Sequence, residues 1–234
     1  MAVKGAELYD DPEFLHGYRE LRRARLGIND ALEIPAMAVA LPPPEGLRVV
    51  DLGCGEGGLA VRLAEAGAVE VMAVDASEQM LAAAVAHPRV QYVRADLERF
   101  NLPPGFADLV VSSMALHYVA DFDGLVRRVA RWLAGGGAFV FTVEHPVVTA
   151  PVVAADCVVD DYADEGRRER TWFVEGVVKY HRTIGTILGV LRRHGFRLEL
   201  VDEPLPTVEQ VAAHPHLVVH RRRPPVLLVS ASRA

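Results

Sequence analysis

The run Val49-Val50-Asp51-Leu52-Gly53-Cys54-Gly55-Glu56-Gly57 joins an apolar strand pattern to a glycine turn and then to a helix pattern. Glycines in such a turn accept positive φ and let a ligand approach the backbone closely. The helix that follows offers free N–H groups to a carboxylate or phosphate. Gly53 to Gly58 also satisfies G-x-G-x-x-G, a fingerprint that does not by itself separate one adenosine cofactor from another. Asp75 closes a second strand pattern, where a Rossmann-type fold sets a carboxylate on ribose hydroxyls. Asp96 follows a third, in Arg94-Ala95-Asp96-Leu97, where a carboxylate accepts a hydrogen bond from an exocyclic amine. Asp51 is the discriminating acid. So near the glycines it repels a pyrophosphate and favours a cation, such as a sulfonium that also carries an ammonium.

Three histidines stand where a proton could be moved. His117 follows a fourth strand in Ser112-Ser113-Met114-Ala115-Leu116-His117-Tyr118. His145 follows a fifth in Val143-Glu144-His145-Pro146, and His181 opens a long helix in Tyr180-His181-Arg182-Thr183. An imidazole with its ordinary pKa, about 6.5, is a neutral base near neutral pH, and His117 is the foremost candidate. His87, His194, His214, His216 and His220 read as structural. His214-x-His216 lacks a third ligand at useful spacing, so no metal is expected. Cys54 reads as a small turn residue, and Arg221-Arg222-Arg223 as a solvated run.

The elements that must position these groups alternate. Residues 1–45 have a polar, helical pattern that ends in Leu41-Pro42-Pro43-Pro44. Strand patterns at Leu47–Leu52, Val69–Val74, Val90–Arg94, Asp108–Ser112 and Ala138–Val143 are separated by helix patterns at Leu59–Ala66, from Ser77 to about Ala86, and from Asp121 to Leu133. This β-α-β-α rhythm predicts a parallel sheet with helices on both faces. Residues 146–182 break the rhythm and carry Tyr162, Trp172, Phe173 and Tyr180, as a substrate-side insertion would. A helix at Thr183–His194, a short helix after Thr207 and strands at Phe196–Val201 and Val226–Ser230 complete the chain, the last two forming an antiparallel edge.

VVDLGCGEG, VDAS, RADLE, SSMALHYV and LAGGGAFVF, in that order over residues 47–143, resemble the motifs of class I S-adenosylmethionine-dependent methyltransferases. FLHGYRELR near the start, then FTVEHP, VVKYHRTIGTILGVLRRHGF and LLVSA, resemble a bacterial small-molecule branch. The chain departs from the family in one turn, with Leu133-Ala134-Gly135-Gly136-Gly137 in place of Leu-x-Pro-Gly-Gly. The resemblance implies a doubly wound α/β sheet of seven strands in order 3-2-1-4-5-7-6, strand 7 antiparallel, in a single domain spanning 1–234. Within it, 1–45 would be a helical lid, 47–145 the cofactor core, 146–182 the insertion, and 183–234 the C-terminal helix and edge strands. The implied cofactor is S-adenosylmethionine, leaving as S-adenosylhomocysteine. Its implied contacts are Tyr18, Arg22, Asp51, Gly53, Gly55, Asp75, Ala76, Met80, Asp96, Leu97, Ser112 and Met114. Of these, Arg22 would pair with the methionine carboxylate and Met80 would lie on the adenine. The acceptor would be a small molecule methylated on O or N, apolar or planar given the aromatics of the insertion.

Composition sets the outer bounds. The chain has 234 residues, 51% apolar and 24% charged, which excludes a disordered chain. Its two cysteines, Cys54 and Cys157, build no disulfide framework. No apolar run reaches bilayer length, and the start lacks the apolar core of a signal peptide, so a cytoplasmic protein without a membrane partner is expected. The net charge of −6 argues against nucleic acid. Two other readings share the glycine pattern: an NAD(P)-dependent oxidoreductase, opposed by Asp96 and SSMALHYV, and a non-catalytic protein on the same fold, opposed by the intact loop and acids. Oligomeric state is left open.

Overall fold

A computed structural model describes residues 8–24, 27–151 and 161–234. Strand β1 (Arg48–Leu52) is buried from Val49 onward, as a central strand covered on both faces must be. It pairs in parallel with β2 (Glu70–Asp75) and β4 (Ala107–Ser112). β3 (Val90–Arg94) extends the sheet beyond β2, and β5 (Leu133–Glu144) extends it beyond β4. On the far edge, β8 (Phe196–Asp202) and β9 (Val226–Arg233) run antiparallel to each other, and β9 runs antiparallel to β5. The seven-stranded order is β3-β2-β1-β4-β5-β9-β8. Counted within this sheet, that is the expected 3-2-1-4-5-7-6.

Two differences from the sequence reading have local causes. Helix α4 (Glu78–Ala82) starts where Ser77 Oγ accepts the Met80 N–H, as expected, but stops well short of Ala86. There the Val85 carbonyl is held by the Tyr92 hydroxyl at 2.7 Å and the Val85 amide donates to Glu56 O, which draws the chain out of helix. Strand β5 begins five residues before Ala138, because Leu133 already pairs with Ala107 and the glycine turn is a bulge inside the strand.

Helix α5 (Phe122–Trp132), capped by Asp121, and α7 (Ile184–Arg193) pack on one face of the sheet. Helix α2 (Ile34–Ala40) and α3 (Gly58–Glu65) cover the other. Helix α1 (Pro12–Ala24) precedes a π-helical turn, Asn29–Glu33, that runs straight into α2. After β5 come the short α6 (Pro146–Thr149) and a separate hairpin, β6 (Gly166–Trp172) with β7 (Val174–His181). No glycine or asparagine marks its turn. Phe173 makes it, with φ of 59°. The short α8 (Val208–Ala213) carries the capping box of Thr207 and Gln210.

A third apolar cluster lies outside the sheet. Leu8, Phe14 and Val177 are buried and pack with the half-buried Tyr9, Tyr18, Tyr118 and Trp172, joining the N-terminal segment to the hairpin. Gly17 on α1 admits Phe173: a Cβ there would stand 2.6 Å from the Phe173 ring. Gly189 on α7 faces open space within 4 Å. Alanine is favoured over glycine in a helix by about 1 kcal/mol. Gly189→Ala should therefore raise the melting temperature by about 2–4 °C. Gly17→Ala should fail to raise it, because the gain is spent displacing Phe173. An equal rise in both variants would show that Phe173 does not bear on α1.

Candidate active site

The glycine loop is tied back to β2. Gly53 and Cys54 donate their N–H groups to Val74 O at 2.8 and 3.0 Å. Gly53, Gly55 and Gly57 all have positive φ. At Gly53 a Cβ would lie 2.3 Å from Ala115 Cβ, and at Gly57 2.1 Å from the Tyr92 hydroxyl, so those two glycines serve packing. Gly55 alone has nothing within 4 Å, a bare backbone open to a ligand. Its N–H donates to Asp75 Oδ2 at 2.8 Å, while Asp75 Oδ1 accepts from Ser77 N at 2.9 Å. Asp75 therefore shapes the loop as well as facing it. Burial pushes its pKa up against the pull of those amides. Burial also pushes the Cys54 thiol far up, so it is no nucleophile.

Asp51 is 1% exposed on β1, and neither carboxylate oxygen has a hydrogen-bond partner among the described residues. Its pKa is pushed up to about 7, first by burial and then by Asp75 and Glu33; Arg62 and the Ala60 amide, which is near but makes no regular hydrogen bond, offset this only in part. An orphaned acid beside an open glycine backbone fits a cationic group and does not fit a pyrophosphate.

Glu33, absent from the sequence reading, is a further buried acid near Asp51. The π-helical turn places its Oε1 to accept from Ser113 Oγ and Thr142 Oγ1, each at 2.8 Å. Thr142 Oγ1 in turn accepts the Met114 N–H at 3.0 Å, and Met114 has φ of 52°. Glu33 thus sets the loop after β4. Its one signal in the sequence is a lone acid in Ala31-Leu32-Glu33-Ile34-Pro35. Asp10 was missed too: it accepts from Ser77 Oγ at 2.6 Å and Gln79 N at 3.1 Å, pinning the N-terminal segment to the end of β2.

The remaining expected contacts are spread around this loop. Met80 is buried on α4, and Ala76 follows β2. Asp96 Oδ1 accepts from Glu98 N, and Leu97 is buried with its carbonyl bound by Arg128. Ser112 Oγ is spent on Leu52 O at 2.7 Å. Arg22 lies 3.5 Å from Asp30, so its guanidinium already has an anionic neighbour. Tyr18 stacks on Phe14 and stands edge-on to Tyr9 and Trp172.

The histidines divide two to one. His145 Nδ1 accepts the Val147 N–H, capping α6, and Nε2 donates to Glu203 at 2.6 Å. His181 donates from Nε2 to Tyr162 O and meets the Thr149 hydroxyl at Nδ1, 2.8 Å away. Both rings are fully engaged and buried. His117 Nδ1 accepts the Glu144 N–H at 3.3 Å. In neutral His117 the proton therefore sits on Nε2, which is a donor. Burial, with Lys179 and Arg182 nearby, pushes its pKa from 6.5 down to about 4 despite Glu144. His117, Glu144, Thr149, Tyr180 and Arg182 line a cavity of about 20 Å³, room for one water. Tyr162, expected among the acceptor aromatics, instead gives its hydroxyl oxygen to the Ile184 N–H.

Among the described residues no cluster of three or more His, Cys, Asp or Glu is placed to hold a metal ion. No helix among them is long and apolar enough to cross a membrane. Cys157 and residues 1–7 lie outside the described residues.

The strand order, the open glycine and the acids at the ends of β1 and β2 define a Rossmann-like methyltransferase. The family model described as "Methyltransferase domain" matches residues 50–141. The crystal structure of an S-adenosylmethionine-dependent methyltransferase from Mesorhizobium loti is 45% identical, covers 88% of this chain and 100% of that one, and superposes with a TM-score of 0.82. One from Listeria monocytogenes, named a putative S-adenosylmethionine-dependent methyltransferase, is 36% identical over 86% and 96% of the two chains, with a TM-score of 0.80. An uncharacterized protein of Haemophilus influenzae is 30% identical over 97% of this chain and 96% of its own. The chain belongs to the S-adenosylmethionine-dependent methyltransferases, and S-adenosylmethionine is its cofactor.

Asp51 makes ligand-free stability depend on pH in a defined direction. Its folded pKa of about 7 lies above the unfolded value, so its contribution is full at pH 4 and is lost as pH rises through 7. Asp51→Asn does not ionise. At pH 8 the ligand-free variant should melt about 2–8 °C above wild type, for about 1–2 kcal/mol, and the gap should close at pH 4.5. The same variant should bind S-adenosylmethionine more weakly by calorimetry. A gap independent of pH would remove the unpaired charge from the account.

Proposed function

We propose that this methyltransferase acts on an O or N atom of a small molecule held between the sheet and the cluster formed by α1 and the β6–β7 hairpin. One observation carries the reading: the end of the sheet beyond β4 and β5 is roofed by the chain's own Tyr9, Phe14, Tyr18 and Trp172, which pack edge to face at 5.0–6.2 Å. A roof of this kind encloses a small body and excludes a duplex or a protein surface. Residues 8–24 act as its lid, pinned by Asp10 on Ser77.

S-adenosylmethionine supplies, when bound, a methyl group already activated by its sulfonium. The chain's task is to align the acceptor and exclude water. Asp75 would take the ribose hydroxyls, Asp51 the cationic methionine end, Asp96 and Met80 the adenine, and Gly53 and Gly55 the approach to the backbone. Ala76, Leu97, Ser112 and Met114 would frame the same pocket. Arg22 would reach the methionine carboxylate by releasing Asp30. Tyr18 would close the lid over it.

A histidine general base was expected. The engaged rings of His145 and His181 support positioning roles for both, and the tautomer of His117 supports a hydrogen-bond donor aimed at the acceptor. An acceptor that arrives already nucleophilic needs no base.

Labelled S-adenosylmethionine offered to fractionated bacterial extract should place label in the small-molecule fraction. Label confined to protein or nucleic acid would overturn the reading. With the labelled fraction as substrate, His117→Gln, which keeps a donor, should retain kcat within about 10-fold, whereas loss of a base costs 10²–10⁴. Between pH 5.5 and 8 wild type and His117→Gln should share one profile, because His117 stays neutral above about pH 4. An acidic limb near pH 6.5 that vanishes in the variant would restore the base.

A further inference from the structure

The inner face of the β6–β7 hairpin is unusually cationic for a buried surface. Arg168 and Lys179 are directly opposite each other in the antiparallel register, and both are buried. Like charges in that position repel. Arg170 follows on the same face, two residues beyond Arg168. The two arginines have a structural use. Arg168 Nε donates to Ala150 O at 3.0 Å, and Arg170 Nη2 donates to Thr149 O at 3.0 Å and to Pro151 O, so both hold the carbonyls that end α6.

Lys179 has no such use. Its side chain is 7% exposed, and among the described residues Nζ has one hydrogen-bond partner, Glu144 Oε1 at 2.5 Å. An ammonium carries three donors. The aromatic neighbours of Nζ are the faces of Trp172 at 5.0 Å and Tyr118 at 5.8 Å, which attract a cation but accept no strong hydrogen bond. Two of its N–H donors therefore have no acceptor among the described residues, at the carboxyl end of β5, where Glu144 links Lys179 to His117. Glu144 is the one acid that faces this group from β5, and Arg170 and Lys179 both hold its pKa down. Arg182 adds a half-buried cation, bound to the Val119 and Ala120 carbonyls. The other half of the site, at the ends of β1 and β2, is lined by Asp51, Asp75 and Glu33.

We propose that Lys179, linked through Glu144 to His117, anchors an anionic oxygen of the methyl acceptor, so that the acceptor is a small organic acid whose carboxylate takes the two spare donors. The proposal rests on the small-molecule reading above and names its substrate class. It accounts for a lysine in an aromatic surround with donors to spare beyond its pairing with Glu144. Where the ionised carboxylate is itself the group methylated, an oxygen lone pair forms the O–CH₃ bond, the S–CH₃ bond breaks with its electrons going to sulfur, and no proton needs removal.

The test uses the full chain saturated with S-adenosylhomocysteine and titrated with two matched probe sets: benzoate, benzamide and benzylamine, then hexanoate, hexanamide and hexylamine. At least one carboxylate should bind saturably and about 10-fold or more tightly than its amide and amine. Lys179→Met should abolish that preference, and Lys179→Arg should keep most of it. The double variant Lys179→Met with Glu144→Gln removes both charges and leaves neither orphaned. It should lose the preference like the single variant, which separates loss of the anchor from misfolding around a stranded Glu144. Amides or amines that bind as well as the acids, acids indifferent to Lys179→Met, or no probe binding at all would overturn the proposal while leaving the bound S-adenosylhomocysteine as evidence for the methyltransferase. Failure to bind S-adenosylhomocysteine would overturn both readings together.

Discussion

A buried carboxylate with no hydrogen bond is the costly feature around which this site is organised. Asp51 sits on the central strand one residue before the bend of the chain, where it cannot reach water and where Asp75 opposes its ionisation. Nothing in the sheet needs an acid there. A valine would pack equally well and would cost nothing to desolvate. The acid fits a positive group, and in the proposed placement the sulfonium cofactor supplies one. The bare Gly55 backbone and the Asp75 carboxylate that holds its N–H give that group a way in.

The rest of the molecule divides by charge around this point. Acids gather at the ends of β1 and β2, joined by Glu33 from the π-helical turn. Beyond β4 and β5, Lys179, Arg182 and the His117 Nε2–H surround a single acid, Glu144. The two halves meet at the loop after β4, where Glu33, Ser113, Thr142 and the Met114 amide form one connected hydrogen-bonded unit. The aromatic cluster of α1 and the hairpin packs on Tyr118 in the loop after β4. On the reading proposed above, a cation and an anion are drawn to opposite sides of the gap in which the methyl group moves.

The succession of strands and helices and the donor half were legible in the sequence because both depend on local chemistry, whereas the strand order rested on the family resemblance. Strands buried on both faces read as apolar runs, and a turn at positive φ needs glycine. Asp75 and Ser77 could be placed from their positions at a strand end and a helix cap. The acceptor half was not legible, because its geometry comes from long-range packing. The hairpin turns on Phe173 instead of a glycine, so no turn signal marks it. Its strands, GRRERTW and VEGVVKYH, carry buried cations where apolar residues would be expected. The histidines were visible, but the tautomer of His117 depends on the Glu144 amide, which another strand supplies. Glu33 and Asp10 matter through partners 67 to 109 residues away, which no spacing rule reveals.

The central claim is that Asp51 is kept part-protonated until a cation binds beside it. Calorimetric titration with S-adenosylmethionine at pH 7, in buffers of different ionisation enthalpy, counts the protons exchanged on binding. With a pKa of about 7, Asp51 should release about half a proton more in wild type than is released in Asp51→Asn. Equal proton counts in the two proteins would contradict the account.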